Sequence, residues 1–188
     1  MKKIPDNARL AFKGVLHDVY QWDQELFDGS FAVFEAIKRR DAVTIIATTE
    51  GRILLNTEEQ PGRPPFIALP GGMAEEGSTI LENAQRELKE ETGYESTDWE
   101  EWFTSDILQA AKIDWNNHFF IAREAQQTAV PHPDAGEKIE TNLITFDEFL
   151  ELRNNPRARN RDLIPILKEA SENVEKRKEL EELLFTQK

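Results

Sequence analysis

Three glutamates, Glu87, Glu90 and Glu91, stand one helical turn apart in the stretch Ile80 to Tyr94. If that stretch is a helix, the i, i+3, i+4 spacing puts all three carboxylates on one face. The flanks predict one: Thr79 with Glu82 three residues on forms a capping box, and Gly93 stands where a helix stop is expected. Like charges that close repel, and a hard divalent cation turns the liability into a binding site, because Mg²⁺ takes carboxylate, carbonyl and water oxygens. Gly71-Gly72 ahead of the helix lets backbone approach what the helix holds and exposes carbonyls as further ligands. Arg86 adjoins the acidic stripe, where it can pair with a neighbouring glutamate and hold the cluster in place.

The remaining elements must position this helix. Ile80, Leu81, Ala84 and Leu88 supply the apolar stripe expected to dock it on a sheet. Ala42 to Thr49 is rich in β-branched residues, and Glu50-Gly51 turns it into Arg52 to Asn56, a pair expected to be central because the runs are nearly continuously apolar. A loop from Thr57 to Pro65 leads to the strand Phe66 to Leu69, which Pro70 ends. Upstream, one or two short strands over Ala11 to Trp22, an Asp28-Gly29 turn and a strand Phe31 to Ala36 predict a small N-terminal sheet over about residues 11–40. Downstream, Trp99, Trp102 and Phe103 read as packing residues, and strands are expected over His118 to Arg123 and Glu137 to Thr145, followed by a short helix Phe146 to Leu152. After Pro156 a charge-laced helix with Leu163, Leu167, Ala170, Val174, Leu180, Leu183 and Leu184 as its stripe is expected to pack on the domain or on a dimer mate. Strands alternating with helices predict an α/β fold, an α/β/α sandwich around a mixed β-sheet. Residues 1–155 are expected to form the domain and 156–188 its C-terminal helical extension.

Composition narrows the function. The 188 residues are 39% hydrophobic with 11 Phe and 4 Trp, enough for a packed core. A net charge of −13 argues against a nucleic acid polymer held on a basic face, and leaves room for a small phosphorylated ligand held through metal. With no Cys there are no disulfides, thiolate metal sites or cysteine nucleophile. His17, His118 and His132 lack metal-ligand spacing. No apolar run approaches a membrane span and Met1 to Pro5 opens no signal-peptide core, so a soluble cytoplasmic protein is the expectation.

The stretch from Gly72 to Tyr94 resembles the signature of the Nudix hydrolases: Gly, five residues, Glu, seven residues, Arg-Glu, an apolar residue, any residue, Glu-Glu, any residue, Gly, an apolar residue. Gly72, Arg86, Glu87, Leu88, Glu90, Glu91, Gly93 and Tyr94 fill its places, and Ser78 stands where the signature has its first Glu. That departure bears on hydrogen bonding in the loop more than on the metal ligands, which the family places in the later part. The resemblance extends over about residues 27–150. The Phe27-Asp28-Gly29-Ser30 turn with a strand reaching Phe34-Glu35, and Gln60, Arg63 and Pro64 ahead of the signature, are similar to the ADP-ribose and nucleotide-sugar branch. This resemblance implies Glu87 and Glu91 as principal ligands of Mg²⁺, or of Mn²⁺. Glu90 shares ions or binds through water, the Gly71 or Gly72 carbonyl completes the shell, and Arg86 orients the acids. It further implies Arg63 as a phosphate clamp, a distal carboxylate before the last strand that falls on Glu137 with Glu140 as the substitute, and a homodimer through the N-terminal sheet. The activity implied is cleavage of a nucleoside diphosphate sugar to a nucleoside monophosphate and a sugar phosphate. Dinucleoside polyphosphate or nucleoside triphosphate cleavage shares the metal site, and a nucleotide-sensing module without catalysis is the alternative of another class.

Overall fold

The computed structural model describes residues 4–106 and 112–186; Met1, Lys2 and Lys3 of the opening segment lie outside them. The centre is a mixed sheet. Strand β4 (Ala42–Thr49) runs antiparallel to β5 (Arg52–Glu59), which pairs in turn with β6 (Phe66–Ala68) and β12 (Lys138–Ile144). On its other side β4 pairs in parallel with β10 (Asn117–Arg123), and β8 (Asp98–Ser105) closes that edge antiparallel to β10.

Because side chains alternate across a strand, the continuous apolar runs of β4, β5 and β10 feed two cores. Val43, Ile45, Leu54 and Phe120 face one side, where Ala84 and Leu88 of α1 (Ile80–Thr92) cover them. Ile46, Ile53, Leu55, Phe119 and Ile121 face the other, beneath Phe149 of α2 (Phe146–Glu151), Leu167 of α3 (Ile164–Glu172) and Leu184 of α4 (Val174–Phe185). The result is the α/β/α arrangement with C-terminal helices that the alternation of elements predicts. A buried arginine fastens the last helix: Arg123 donates to Asp98, to Glu100 and, from Nε at 2.9 Å, to the Leu183 carbonyl.

The N-terminal sheet is larger than expected. Strand β2 (His17–Glu25) runs up to the turn and pairs with β1 (Arg9–Lys13) and β3 (Phe31–Arg39), and the short β9 (Ile113–Asp114) joins in parallel with β3. A two-stranded ribbon of β7 (Tyr94–Glu95) and β11 (Gln126–Gln127) follows the end of α1. Three expectations need correction. Leu81 is exposed and leaves the docking stripe to Ile80, Ala84 and Leu88. The C-terminal segment is two helices, because Asn173 leaves helical geometry and its side chain accepts from Glu175 and Lys176 to start α4. Val174, in the first turn of that new helix, points outward and is 85% exposed.

Candidate active site

The acidic helix begins and ends as its caps dictate. Thr79 accepts from the Glu82 N–H while the Glu82 carboxylate accepts from the Thr79 N–H, and the Gly93 N–H closes on the Lys89 carbonyl. Ahead of it, residues 70–72 run beside β4, whose Ile45 and Val43 N–H groups donate to the Pro70 and Gly72 carbonyls at 2.8 and 2.9 Å. Gly71 is required by contact with backbone, while Gly72 leaves room for the end of a side chain. A Cβ on Gly71 would stand 2.1 Å from the Val43 carbonyl, and one on Gly72 would stand 2.5 Å from the Glu87 carboxylate. The Glu87 side chain thus lies directly against the double glycine. Among the described residues the Gly71 carbonyl accepts no hydrogen bond, whereas that of Gly72 is taken by Val43.

Glu91 is the most enclosed acid of the stripe, at 5% exposure. Its carboxylate accepts from Asn56 Nδ2 at 2.9 Å and from the Gly71 N–H at 3.1 Å, and Thr141 donates to Asn56 Oδ1 behind it. Arg86 donates to Glu87 at 2.8 Å and to Glu90 at 2.6 Å, and Glu75 comes within 3.9 Å of its Nε. Asn83 braces the loop, accepting from the Glu75 N–H and donating to the Thr79 carbonyl. Ser78 is exposed and makes no side-chain hydrogen bond among the described residues, so Glu75 and Asn83 tie down the loop.

The cleft in front of the double glycine has a volume of 670 Å³ and includes Arg63, Glu58, Gln60, Glu137 and Arg159 in its wall. Glu137 stands just ahead of β12, its Oε1 accepting from Gln60 at 2.9 Å, so one oxygen is left for other work. Glu140 of β12 pairs with Thr57 of β5 and lies on the opposite face from Thr141 and Asn56; it is exposed and lines no part of the cleft. Arg63 is exposed at the rim.

Glu58 has no counterpart among the expected site residues. It follows Leu54 and Asn56 on the inward face of β5 and is only 6% exposed. Burial, reinforced by Glu137 and opposed by Arg159, pushes its carboxyl up to about 7. Burial also raises Glu91 well above the usual carboxylate range, with Glu58 adding to it and the Gly71 N–H working against it. Glu87 is raised by burial against the pull of Arg86, and Glu137 by burial and by Asp134. These carboxylates destabilise one another's charge, a conflict that a divalent cation resolves. Among the described residues no three acidic or imidazole side chains already converge tightly enough to enclose an ion. Glu87 and Glu90 are turned onto Arg86, and Glu91 onto Asn56 and Gly71. The donors are all oxygens, as a hard cation requires, and Arg86 holds two of them in reserve.

This geometry agrees with comparison to known proteins. Residues 38–165 match the model of the NUDIX domain. The chain belongs to the Nudix family. It is 30% identical over 144 residues to an ADP-ribose pyrophosphatase of Bacillus subtilis (strain 168), covering 75% of this chain and 77% of the relative. It is 29% identical over 132 residues to a methanol dehydrogenase activator of Bacillus methanolicus, covering 69% and 71%. The fold matches a crystal structure of an ADP compounds hydrolase with a TM-score of 0.71 at 19% identity, over 92% of this chain and 96% of that one. This Nudix chain is therefore a pyrophosphohydrolase of the ADP-ribose pyrophosphatase-like branch. Nudix hydrolases generally use divalent metal. Among the described residues no helix is long and apolar enough to cross a membrane.

Sequence reading singles out Glu87, Glu90, Glu91, Arg86, Gly71, Arg63 and Glu137; of these Gly71, Arg63 and Glu137 line the cleft, Glu87 and Glu91 lie against the double glycine, and Arg86 and Glu90 stand next to Glu87 outside the cleft lining. It misses Glu58, Asn56, Asn83 and Arg159. For Glu58 a signal existed: Leu54, Asn56 and Glu58 alternate on one face, so an acid on the buried side of a central strand was legible.

Proposed function

We propose that the protein hydrolyses the pyrophosphate of a nucleoside diphosphate joined to a sugar, ADP-ribose or a nucleotide sugar, giving a nucleoside monophosphate and a sugar phosphate. The observation that carries this reading is Glu87 and the buried Glu91 packed against Gly71-Gly72, the two glycines that line a cleft with Arg63 at its rim. The relative named as an ADP-ribose pyrophosphatase supports the substrate class. Glu87, Glu91, Glu90 and the Gly71 carbonyl would hold Mg²⁺, with Mn²⁺ able to replace it. When bound, the metal neutralises charge on the phosphates and lowers the pKa of a coordinated water.

The chain's own groups do the rest. Arg86 holds Glu87 and Glu90 side by side until they are needed. Asn56 and the Gly71 N–H fix Glu91 in one rotamer. Arg63 grips a phosphate oxygen through its planar fork. Glu137, aimed by Gln60, takes a proton from the attacking water; burial and Asp134 raise its pKa, which makes it a stronger base than an ordinary carboxylate. The water oxygen forms the new P–O bond, the bridging P–O bond breaks, and the leaving phosphate departs with its electron pair.

The outer face of the N-terminal sheet supports a homodimer. Phe12, Phe31 and Val33 are 63%, 67% and 59% exposed, more apolar surface than one chain conceals. Light scattering of the purified protein tests this, a dimer mass supporting it and a monomer mass at micromolar concentration removing it. A cytoplasmic location belongs to the same reading and is tested by cell fractionation. For the activity, ADP-ribose and a set of nucleotide sugars are incubated with Mg²⁺ and the phosphate esters resolved by ³¹P NMR. Release of a nucleoside monophosphate from at least one supports the reading; release from none removes it.

A further inference from the structure

Beside the catalytic cleft lies a second groove, of 830 Å³, in which four arginines surround an apolar floor. Arg63 comes from the loop before β6; Arg157, Arg159 and Arg161 come from the segment after α2. Backbone pairing fixes the two segments together, with the Ile67 N–H donating to the Arg157 carbonyl at 3.0 Å and the Arg159 N–H to the Ile67 carbonyl at 2.9 Å. The Arg159 guanidinium lies 3.6 Å over the Phe66 ring, and Arg157 commits only Nε, to the Pro65 carbonyl at 3.3 Å.

The charge pattern is the anomaly. The chain carries 36 acidic residues against 23 Lys and Arg, yet among the described residues none of these four arginines makes an ion pair. Burial, and then repulsion from Arg63, lower the Arg159 pKa against the pull of Glu58. Arg159 thus feels the buried Glu58, but Arg63, Arg157 and Arg161 are exposed with no ion-pair partner among the described residues, so the forks around this groove are open to an anion. Planar forks favour a phosphoryl group, which accepts paired N–H bonds. Pro64, Pro65 and Pro156 line the groove without offering a competing carboxylate.

The groove and the cleft share Arg63, Phe66 and Arg159, so one ligand can occupy both. We propose that the groove formed by Arg63, Arg157, Arg159 and Arg161 is a subsite for a phosphoryl group that the substrate carries in addition to the pyrophosphate being cut. The ligand class is a nucleotide bearing either a ribose phosphomonoester or a further phosphate in its chain. This rests on the pyrophosphatase reading for the position of the scissile bond, while the subsite is tested by binding alone.

The test is calorimetry on the full chain in chelator, with no turnover required. One arm compares AMP with adenosine 2′,5′-bisphosphate, the other AMP with ADP and ATP. In at least one arm the added phosphoryl group is expected to tighten binding by about tenfold or more, as charge-assisted hydrogen bonds do, and the responding arm identifies where the group sits. In R157Q/R161Q that gain is expected to disappear. Arg157 and Arg161 are exposed; should the double variant lose its melting transition, Arg161→Gln alone is used, with loss of at least half the gain expected. A gain below tenfold in both arms, or one that survives the substitutions, overturns the proposal. Tight binding without cleavage of any substrate keeps the subsite and removes the hydrolytic reading; cleavage without the gain does the reverse.

Discussion

Replacing Glu58 by Gln makes the electrostatic conflict in the cleft measurable. In the metal-free protein Glu58 titrates at about 7 against an ordinary 4.5, because burial beside Glu91 and Glu137 disfavours its charge. A carboxyl whose pKa is higher in the fold than in the unfolded chain stabilises the fold most below about pH 4.5. That stability is lost as pH rises through about 7. The full linkage is at most about 3 kcal/mol, and partial hydration and Arg159 reduce it to about 1–3 kcal/mol. Glutamine keeps the neutral shape and cannot ionise. The variant is therefore expected to lie close to the parent at pH 5 and to exceed it at pH 8 by about 2–12 °C in Tm, since a chain of this size shifts about 2–4 °C per kcal/mol. Thermal melts in chelator across pH 5–8 are the assay. A difference that stays within about 1 °C at every pH would refute the claim that an uncompensated acid is buried there. Saturating Mg²⁺ should narrow the gap, because cation binding stabilises the ionised form.

Two other substitutions separate roles that look alike in the sequence. Glu137→Gln is expected to lower kcat by about 10²–10⁴-fold with little change in Tm, and Glu140→Gln to leave it within about twofold; equal effects on kcat would break the assignment of Glu137 as the base. Arg123→Ala leaves Asp98 and Glu100 without their buried partner and frees the Leu183 carbonyl. It is expected to destabilise the fold by about 3–5 kcal/mol by denaturant melt; a loss under about 1 kcal/mol would mean that the arginine does not fasten α4 to the sheet.

The parts of the fold that were legible in the sequence are those with local causes. The Thr79–Glu82 box and Gly93 bound α1 as expected, and β-branched continuity marks β4 and β5 as central. The acidic stripe was legible for the same reason, since helical periodicity alone places Glu87, Glu90 and Glu91 together. What escaped depends on contacts between distant segments. Arg159 reaches the cleft only because residues 157–159 pair with Ile67, a register that no local pattern encodes. Asn56 acts on Glu91 across 35 positions. Val174 looked like a continuation of the stripe because its spacing is helical, but the break at Asn173 turns the next helix out of phase.

The central claim is that the acids beside the double glycine enable cleavage of a pyrophosphate bond. The measurement that tests it most directly is AMP release from ADP-ribose in Mg²⁺ by the parent protein and by Glu91→Gln, with circular dichroism on both. Robust release by the parent is expected, with a fall of at least about 10²-fold in kcat/KM for the folded variant. Equal release by the two proteins, or none by the parent, would contradict it.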